Sequence, residues 1–379
     1  MIIYKTNVKK RKMDMYTLKT FGIGFSGNFD ELYQHLKNKG FTNEEILESK
    51  LVLKSNRTGK LYDAFRNRLM FTIKDVRDRV IAFGGRALDD SKPKYINSPD
   101  TVVYNKGRHL FAMNIAKKSG EKSIMLVEGY MDAISLHQRG ITNVVAALGT
   151  ALTTQQGWLL RKNAEQVILG FDSDGAGQNA ILRSIEILQN MGCDMRVLQM
   201  EGAKDPDEYV LKYGPERFEK LIDNSISPVE YKVNLIKNDY DFNDTTQKIA
   251  FLTKLAEILT KVDNNIERDV YVDKFSRDLK VGKEAIIAEI EKRTLRNSMK
   301  VKNWQSNHPI TAGTVGVYVE KDQNEDMIFY LLTLKNNDIF QKLLMFFRNL
   351  FLKFYVFALS KQFLLYNHQY HLSISLSSI

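Results

Sequence analysis

The middle of the chain alternates short apolar runs with helical segments, and this alternation constrains the fold more than any other feature. Between residues 122 and 210 the apolar runs are KSIMLVEG, NVVAAL, QVILGF and CDMRVLQM. Short apolar strands separated by helices predict a parallel sheet with crossover helices. In such a sheet, functional groups gather outside the carboxyl ends of the strands. We therefore predict an α/β fold for this part of the chain.

Acidic residues stand at or just beyond the carboxyl ends of three of these strands. They are Glu128, Asp132, Asp172, Asp174, Asp205 and Asp207. If adjacent strands bring them together, the carboxylates cannot all ionise unless their pKa values rise or cations neutralise them. Carboxylates without His or Cys suit hard divalent ions such as Mg²⁺ or Mn²⁺. Two such ions about 3.5–4 Å apart can assist phosphoryl transfer.

The D-x-D pair in GFDSDGAGQNA has a simpler explanation when it is taken alone. Asp174 can cap the helix that follows it, and Glu128 can be an acid at the start of a helix. The coincidence of acids at three strand ends favours a metal site instead. Gly175 and Gly177 would then leave space for a phosphate to approach.

Positive charge is concentrated in the first third of the chain. Residues 1–107 carry 21 Lys and Arg against 12 Asp and Glu, whereas the remainder carries 34 against 33. A basic region beside a neutral one suggests that this region binds a polyanion, although a solvated basic face has the same composition.

The number of cysteines predicts the cellular compartment, and the two ends of the chain show whether a signal peptide or a membrane span is expected. Cys193 alone excludes disulfides within the chain and any Cys-rich zinc site, so we expect a reducing, cytoplasmic setting. The N-terminus lacks the apolar core of a signal peptide. Basic residues interrupt the apolar C-terminal segment, so we expect no membrane span.

The remaining segments complete a predicted organisation in six parts. RLMFTI and DRVIAFGG read as a hairpin, KPKYINSPDT as a loop, and Thr42 with Glu45 as a helix cap. The parts are an atypical N-terminal segment (1–16), a basic α+β subdomain (17–121), the parallel α/β subdomain (122–210), a helical subdomain (211–293), a linker (294–326) and an atypical helical tail (327–379).

Several motifs carry a resemblance to one family. VEGYMDAIS, GFDSDGAGQNA and KDPDEYV closely resemble the TOPRIM domain of bacterial DnaG-type DNA primases. RLMFTI, FGGR and KYINSP resemble the N-terminal half of the RNA polymerase core of the same enzymes. A glutamate followed by a D-x-D pair fits many TOPRIM proteins, whereas FGGR and KYINSP make the resemblance specific to primases. It runs from about residue 18 to about residue 293.

The resemblance implies a function and a set of site residues. The function is synthesis of short RNA primers from NTPs on single-stranded DNA, by a monomer that uses two or more Mg²⁺ or Mn²⁺ ions. Glu128 would be the acid associated with catalysis, as a metal ligand or proton acceptor. Asp172 and Asp174 would bind metal, and the other three acids would complete the cluster. The implied DNA and NTP contacts are Arg66, Arg68, Arg86, Lys94, Tyr95, Asn97 and Lys106.

Both ends of the chain depart from the family pattern. Complete members begin with a zinc-binding domain, but only about sixteen residues precede the resemblance here, so we expect no zinc in this chain. Members end in a helical domain that docks on the replicative helicase. Residues 327–379 resemble a remnant of that domain, which leaves helicase docking open. A frameshifted or truncated reading frame is our hypothesis for both departures.

Other functions remain open at this point. A TOPRIM domain is also compatible with DNA cleavage, as in a topoisomerase or nuclease. A truncated primase would bind DNA without incorporating NTPs. A phosphatase with Asp172 as nucleophile is disfavoured, because Ala176 and Gly177 stand where such enzymes have Thr or Val.

Overall fold

The computed structural model describes residues 13–149, 151–307, 315–321, 327–331 and 372–374. Two compact units divide the chain, Met1–Val262 and Asp263–Ile379. The division lies within the segment 211–293 that the sequence predicts as a single helical subdomain.

The N-terminal region combines short helices with an antiparallel sheet. In chain order its elements are α1 (Met15–Thr20), β1 (Gly24–Phe25), α2 (Glu31–Asn38), α3 (Asn43–Glu48), β2 (Val52–Lys54), β3 (Leu61–Asp63), β4 (Arg68–Lys74), β5 (Val80–Ala87), β6 (Tyr95–Asn97) and α4 (Met113–Ala116). The sheet order is β1-β4-β5-β6, and β2 pairs separately with β3. The predicted cap of α3 is present, because Thr42 and Glu45 form a capping box.

The predicted hairpin of this region is present, whereas the predicted loop contains a short strand. Strands β4 and β5 pair antiparallel, as the hairpin requires. Leu69, Phe71 and Ile73 on β4 are buried while the residues between them are partly exposed, which is the alternation of a strand with one buried face. The segment KPKYINSPDT is not wholly a loop, since β6 lies within it and pairs with β5. A three-residue edge strand between prolines is too short to show a periodic pattern.

Residues 123–213 form the predicted parallel α/β layer. Its elements are β7 (Ser123–Val127), α5 (Tyr130–Gln138), β8 (Val144–Ala146), α6 (Thr154–Asn163), β9 (Gln166–Leu169), α7 (Gly175–Gln189), β10 (Asp194–Val197) and α8 (Pro206–Tyr213). The strand order is β10-β9-β7-β8 and every pairing is parallel. The α/β fold class is therefore confirmed.

The two sheets share a hydrophobic core. Phe71 and Ile73 of the antiparallel sheet belong to the same buried cluster as Val127 and Ile134 of the parallel layer. Strands β7, β8 and β9 are nearly continuously apolar because both of their faces are covered, whereas the edge strand β10 carries Asp194 and Arg196. The basic region and the acidic strand ends are thus parts of one packed unit.

Helices follow the parallel layer, and the segment predicted as a linker is partly regular. The first unit continues with α9 (Pro215–Asp223), α10 (Pro228–Lys237) and α11 (Thr245–Thr260), and the second contains α12 (Asn265–Leu279), α13 (Lys283–Asn307), β11 (Val315–Lys321), β12 (Met327–Leu331) and β13 (Leu372–Ile374). Helix α13 and β11 thus extend into 294–326. No Gly or Pro interrupts α13 after Lys283, so nothing local ends the helix.

The predicted helical tail differs where the structure describes it. Strands β12 and β13 both pair antiparallel with β11. The rest of the tail, including its apolar segment, lies outside the described residues. Among the helices that are described, none has the length and apolarity needed to cross a membrane.

Candidate metal and nucleic-acid site

The acids predicted as metal ligands lie at one edge of the parallel sheet. Strand β7 pairs with β9, and β9 pairs with β10. Glu128 follows β7, Asp172 follows β9, and Asp205 caps α8 after β10. Because these neighbouring strands run parallel, their carboxyl ends bring the acids to the same edge, which we call the acidic edge.

A hydrogen bond links Glu128 and Asp172, which follow the adjacent strands β7 and β9. The backbone N–H of Asp172 donates to Oε1 of Glu128 at 3.2 Å. The first turn of α7 is packed against both residues, since a Cβ at Gly177 would overlap the carbonyl oxygen of Asp172 and lie 2.9 Å from Oε1 of Glu128. Glycine at this position is therefore a requirement of close packing.

The acids at this edge have raised pKa values, mainly because they are buried and in part because they repel one another. Burial, together with the smaller contribution of repulsion from Glu128 and Asp205, raises the pKa of Asp172 to about 6. Burial also raises the pKa of Glu128, again with contributions from Asp174 and Asp205. A divalent cation would relieve this repulsion.

Asp132 is the most buried of the acids. Only 8% of it is exposed, and it accepts hydrogen bonds from the backbone N–H groups of Gly129 (3.2 Å) and Asp207 (3.4 Å). Burial, together with the smaller contributions of the charges on Asp205, Asp172 and Asp207, raises its pKa to about 8. Asp132 therefore connects the first turn of α5 to the start of α8.

The donor chemistry of the acidic edge suits divalent metal ions, but the side chains do not form a closed ligand set. In the described part of the chain, no three Asp, Glu, His or Cys side chains converge closely enough to hold an ion. Asp174 instead accepts from the N–H of Gly177 at 2.9 Å, and Asp205 from that of Glu208 at 2.8 Å. Capping engages one carboxylate oxygen of each residue, so the second oxygen is the one available to a metal ion.

Lys204 is a cation at the acidic edge that the sequence analysis did not assign. Its carbonyl accepts from the N–H of Ser173, between the two aspartates of the D-x-D pair, at 2.8 Å. Its charge lowers the pKa of both Glu128 and Asp172, although burial raises both values overall. Its ammonium group is exposed and has no ion-pair partner among the described side chains. The available signal was a lysine directly before an acidic pair in KDPDEYV.

Arg66 is exposed and packs on two aromatic rings. Its guanidinium carbon lies 5.0 Å from the ring centroid of Tyr62 and 5.5 Å from that of Phe29. Phe29 is 54% exposed. Neither ring was predicted as part of a site, because Phe29, Tyr62 and Arg66 belong to separate segments.

Arg86 and Tyr95 form a second pair of this kind on adjacent strands. They are direct partners in the register of β5 and β6. Nη1 of Arg86 donates to the Tyr95 hydroxyl at 2.7 Å, and the guanidinium carbon lies 5.2 Å from the ring centroid. Lys94, which precedes Tyr95, is exposed.

Arg68, a predicted DNA or NTP contact, is largely engaged within the protein. It is 7% exposed, and its Nη1 donates to the carbonyls of Gly85 (3.3 Å), Pro93 (3.0 Å) and Lys94 (3.4 Å). These contacts hold the strand β5 and the segment before β6 together, so little of the guanidinium remains for a ligand.

Asn97 and Lys106 are only partly exposed. Nδ2 of Asn97 donates to the carbonyl of Leu148 at 2.9 Å, and its Oδ1 accepts from the Tyr130 hydroxyl. Burial lowers the pKa of Lys106, although the charge of Asp100 opposes this. Both residues contribute contacts to the parallel layer, since the Lys106 carbonyl accepts from Nε2 of Gln156 at 3.0 Å.

Three family models match the chain. They describe the N-terminal domain of the DNA primase catalytic core (residues 4–117), a Toprim-like domain (125–210) and the DnaB-helicase binding domain of primase (229–284). The first match begins within the segment predicted as atypical. The third corrects the sequence analysis, because similarity to the helicase-binding domain lies at 229–284 rather than in 327–379.

Curated relatives agree with these matches. The chain is 39% identical over 302 residues to the DNA primase of Clostridium acetobutylicum, which covers 79% of this chain and 50% of the relative. It is 33% identical over 306 residues to the DNA primase of Halalkalibacterium halodurans, covering 80% and 51%. The chain thus spans about half the length of the curated relatives that it matches.

Solved structures cover the same core. A DNA primase domain from Pseudomonas aeruginosa is 34% identical with a TM-score of 0.63, covering 76% of this chain and 91% of that one. The E. coli primase catalytic core is 30% identical with a TM-score of 0.62, covering 74% and 91%. A DnaG primase catalytic domain bound to single-stranded DNA is 30% identical with a TM-score of 0.63, covering 75% and 90%.

The family models and the solved structures indicate both the use of metal ions and the family of this chain. A Toprim-like domain at 125–210 implies the use of divalent metal ions by the part of the chain that carries the acidic edge. The matches to the core cover both the antiparallel sheet and the parallel layer, in the order in which the family has them. The chain therefore belongs to the family of DnaG-type DNA primases.

Proposed function

We propose that this chain is a DNA-templated RNA polymerase of primase type, which makes short RNA primers from NTPs on single-stranded DNA for DNA replication. The observation that carries the proposal is the acidic edge, where Glu128 and Asp172 are in contact and repel each other beside a packed basic sheet. A monomer suffices, because both parts belong to one unit.

The acidic edge would hold two or more Mg²⁺ or Mn²⁺ ions. Glu128, Asp172 and Asp174 are the proposed ligands next to the reaction, and Asp132, Asp205 and Asp207 complete the set. Bound divalent ions assist nucleotidyl transfer by neutralising charge on the phosphates and by activating the attacking hydroxyl. Glu128 is also suited to accept a proton, since burial brings its pKa closer to neutrality.

Lys204 and the glycines of α7 are proposed to receive the triphosphate. The exposed ammonium group of Lys204 stands beside Glu128 and Asp172, where an incoming nucleotide would bring several negative charges. A Cβ at Gly175 would meet no described atom within 4 Å, so the entrance at this turn is open. The charge of Lys204 and the open turn at Gly175 would together accommodate a polyphosphate.

Arg66 and Arg86 with their aromatic partners are proposed to bind the template strand. An arginine beside an accessible ring can contact a phosphate while the ring stacks on a base, which binds single strands with little sequence preference; Phe29 is exposed, and Tyr62 and Tyr95 are partly exposed. Lys94 adds a further exposed cation. A similar primase catalytic domain has been solved bound to single-stranded DNA, which supports a single-stranded template as the ligand.

Residues 229–284 are proposed to dock on a replicative helicase. The support is their match to the DnaB-helicase binding domain of primase. The match leaves the predicted remnant at 327–379 without a role in this proposal.

A primer-synthesis assay tests the proposal. The full chain, a single-stranded template, NTPs and Mg²⁺ or Mn²⁺ should yield dinucleotides and short RNA. Glu128→Gln and Asp172→Asn should abolish synthesis and leave DNA binding nearly intact. Glu165→Gln is the matched control, because Glu165 precedes β9 at the opposite end of the strand and pairs with Lys122 on the surface.

Two other outcomes would favour the competing functions. Cleavage of labelled DNA in the absence of NTPs would indicate a different Toprim activity. Binding of single-stranded DNA without any NTP incorporation would indicate a primase core that is catalytically inactive.

A further inference from the structure

We infer that the hydroxyl group of Tyr130 is a positioning group, which fixes the acidic edge in register with the strand that carries Tyr95 and Asn97. The inference rests on the proposed function. It concerns a residue that makes no contact with substrate and acts through Asn97.

Tyr130 connects the two sheets through its ring. It begins α5, two residues after Glu128, and is 3% exposed. Its ring stacks on Phe71 of β4, with centroids 4.7 Å apart and an angle of 8° between planes. Phe111 meets the same ring edge-on at 4.8 Å. The first turn after the catalytic acid is therefore anchored in the antiparallel sheet.

The hydroxyl group lies directly against the backbone of β5. A Cβ at Gly84 would overlap the Tyr130 hydroxyl, so this strand can approach only because residue 84 is glycine. Gly84 is also the partner of Asn97 in the pairing of β5 with β6. The hydroxyl thus reaches the sheet at the point where β6 ends.

Asn97 is held by the parallel layer from two sides. The Tyr130 hydroxyl donates to its Oδ1, and its Nδ2 donates to the Leu148 carbonyl at 2.9 Å. Leu148 lies in the loop after β8 and has a left-handed backbone conformation (φ 62°). Because both ends of the Asn97 amide are engaged within the protein, its role is to hold β6 in place rather than the predicted contact with a nucleotide.

The consequence for the reaction is geometric. A covalent and hydrogen-bonded path runs from Glu128 through Tyr130 to Asn97, and Tyr95 beside Arg86 lies two residues before Asn97 on the same strand. This path relates the metal-binding acids to the proposed template contacts. A misplacement of about 1 Å between reacting groups can lower a rate by about 100-fold.

Tyr104 provides a matched control for the loss of a hydroxyl group. It is 1% exposed and its ring stacks on His109 with centroids 5.7 Å apart. Within the described residues its hydroxyl has no hydrogen-bond partner. Tyr104→Phe therefore removes a buried hydroxyl from the same unit without breaking a bond, and should be neutral or stabilising.

The experiment compares Tyr130→Phe, Tyr104→Phe and Asn97→Ala in the full chain. We expect Tyr130→Phe to lower kcat for dinucleotide synthesis by about tenfold to 100-fold. The KM for NTP, the Kd for single-stranded DNA and the Tm should stay near those of the wild type. Asn97→Ala should lower kcat at least as much, and the double variant should lose little more, because both changes break one path.

Three results would overturn the inference. The first is a Tyr130→Phe protein with the kcat of the wild type. The second is a fall in kcat that a loss of folded protein or of DNA binding fully explains, which would mean a general structural role. The third is an equal fall in kcat for Tyr104→Phe. A wild-type chain that makes no dinucleotide would instead refute the proposed function, and this inference with it.

Discussion

The backbone N–H of Asp172 donates to the side-chain carboxylate of Glu128 at 3.2 Å, and this contact joins the ends of two parallel strands. The first turn of α7 rests on both residues through Gly177. Gly177 therefore contacts two of the proposed metal ligands, and its substitution should affect the stability of the protein.

Gly177→Ala should destabilise the protein, whereas Gly175→Ala should not. A methyl group at 177 would overlap backbone at Asp172, which cannot move cheaply, while one at 175 would meet no described atom within 4 Å. We expect a loss of about 1–3 kcal/mol in the free energy of unfolding for Gly177→Ala. Urea denaturation measures both variants. Equal stability of the two would show that the packing around Asp172 is looser than the structure indicates.

Divalent metal should stabilise the wild type, and Asp172→Asn should remove most of that effect. Burial, and to a smaller extent repulsion from the neighbouring acids, raises the pKa of Asp172 to about 6, so the metal-free protein should gain stability when this charge is removed. At about 100 times the Kd, Mn²⁺ should add about 2.7 kcal/mol to the wild type. Thermal unfolding with and without Mn²⁺ checks this, and Glu165→Gln should respond like the wild type.

The acidic edge could be predicted from the sequence because it depends on local features. Alternating strands and helices indicate a parallel sheet, and an acid at the end of each strand then has a known location, as Glu128 and Asp172 show. The hairpin of β4 and β5 and the cap at Thr42 could be predicted for the same reason.

Features that depend on distant contacts could not be predicted. Arg68 is a basic residue in a basic region, which predicts a DNA contact. In the fold, however, its guanidinium donates to three backbone carbonyls between residues 85 and 94. The role of Tyr130 depends on an approach by Gly84, 46 residues earlier in the chain. Strand β6 exists only because β5 offers it an edge, and three residues show no period of their own.

Arg66→Ala and Arg68→Ala should have opposite consequences. Arg66 is exposed, so its loss should weaken binding of single-stranded DNA and reduce the magnitude of the slope of log Kd against log salt by about 1. Arg68→Ala removes a buried guanidinium and its bonds to the Gly85 and Pro93 carbonyls, while the Lys94 carbonyl keeps the N–H of Ala87, and should cost about 2–4 kcal/mol of stability. Salt titration and urea denaturation of both variants separate the two effects. A stable Arg68→Ala protein with weakened DNA binding would restore the predicted contact.

His137 should make the protein less stable in mild acid. Burial lowers its pKa below 6.5, while its ring nitrogen bonds the Val144 carbonyl at 2.8 Å and Phe21 packs edge-on at 5.2 Å. The unfolded chain therefore binds a proton more readily than the folded one, and stability falls as the pH drops below about 6.5. His137→Gln should flatten this dependence in denaturation at pH 5 to 8. His35→Gln, at an exposed position of α2, should leave it unchanged.

Lys204→Ala should impair the use of nucleotides and leave template binding intact. The Lys204 carbonyl is bonded to the N–H of Ser173, so backbone contacts rather than the ammonium group hold the loop in place. Removing the charge should therefore raise the KM for NTP by about tenfold, the equivalent of about 1.4 kcal/mol of lost phosphate interaction. Lys122→Ala is the control, because Lys122 precedes β7 at the other end of the sheet and pairs with Glu165. If the KM is unchanged while kcat falls, Lys204 acts on the carboxylates rather than on the nucleotide.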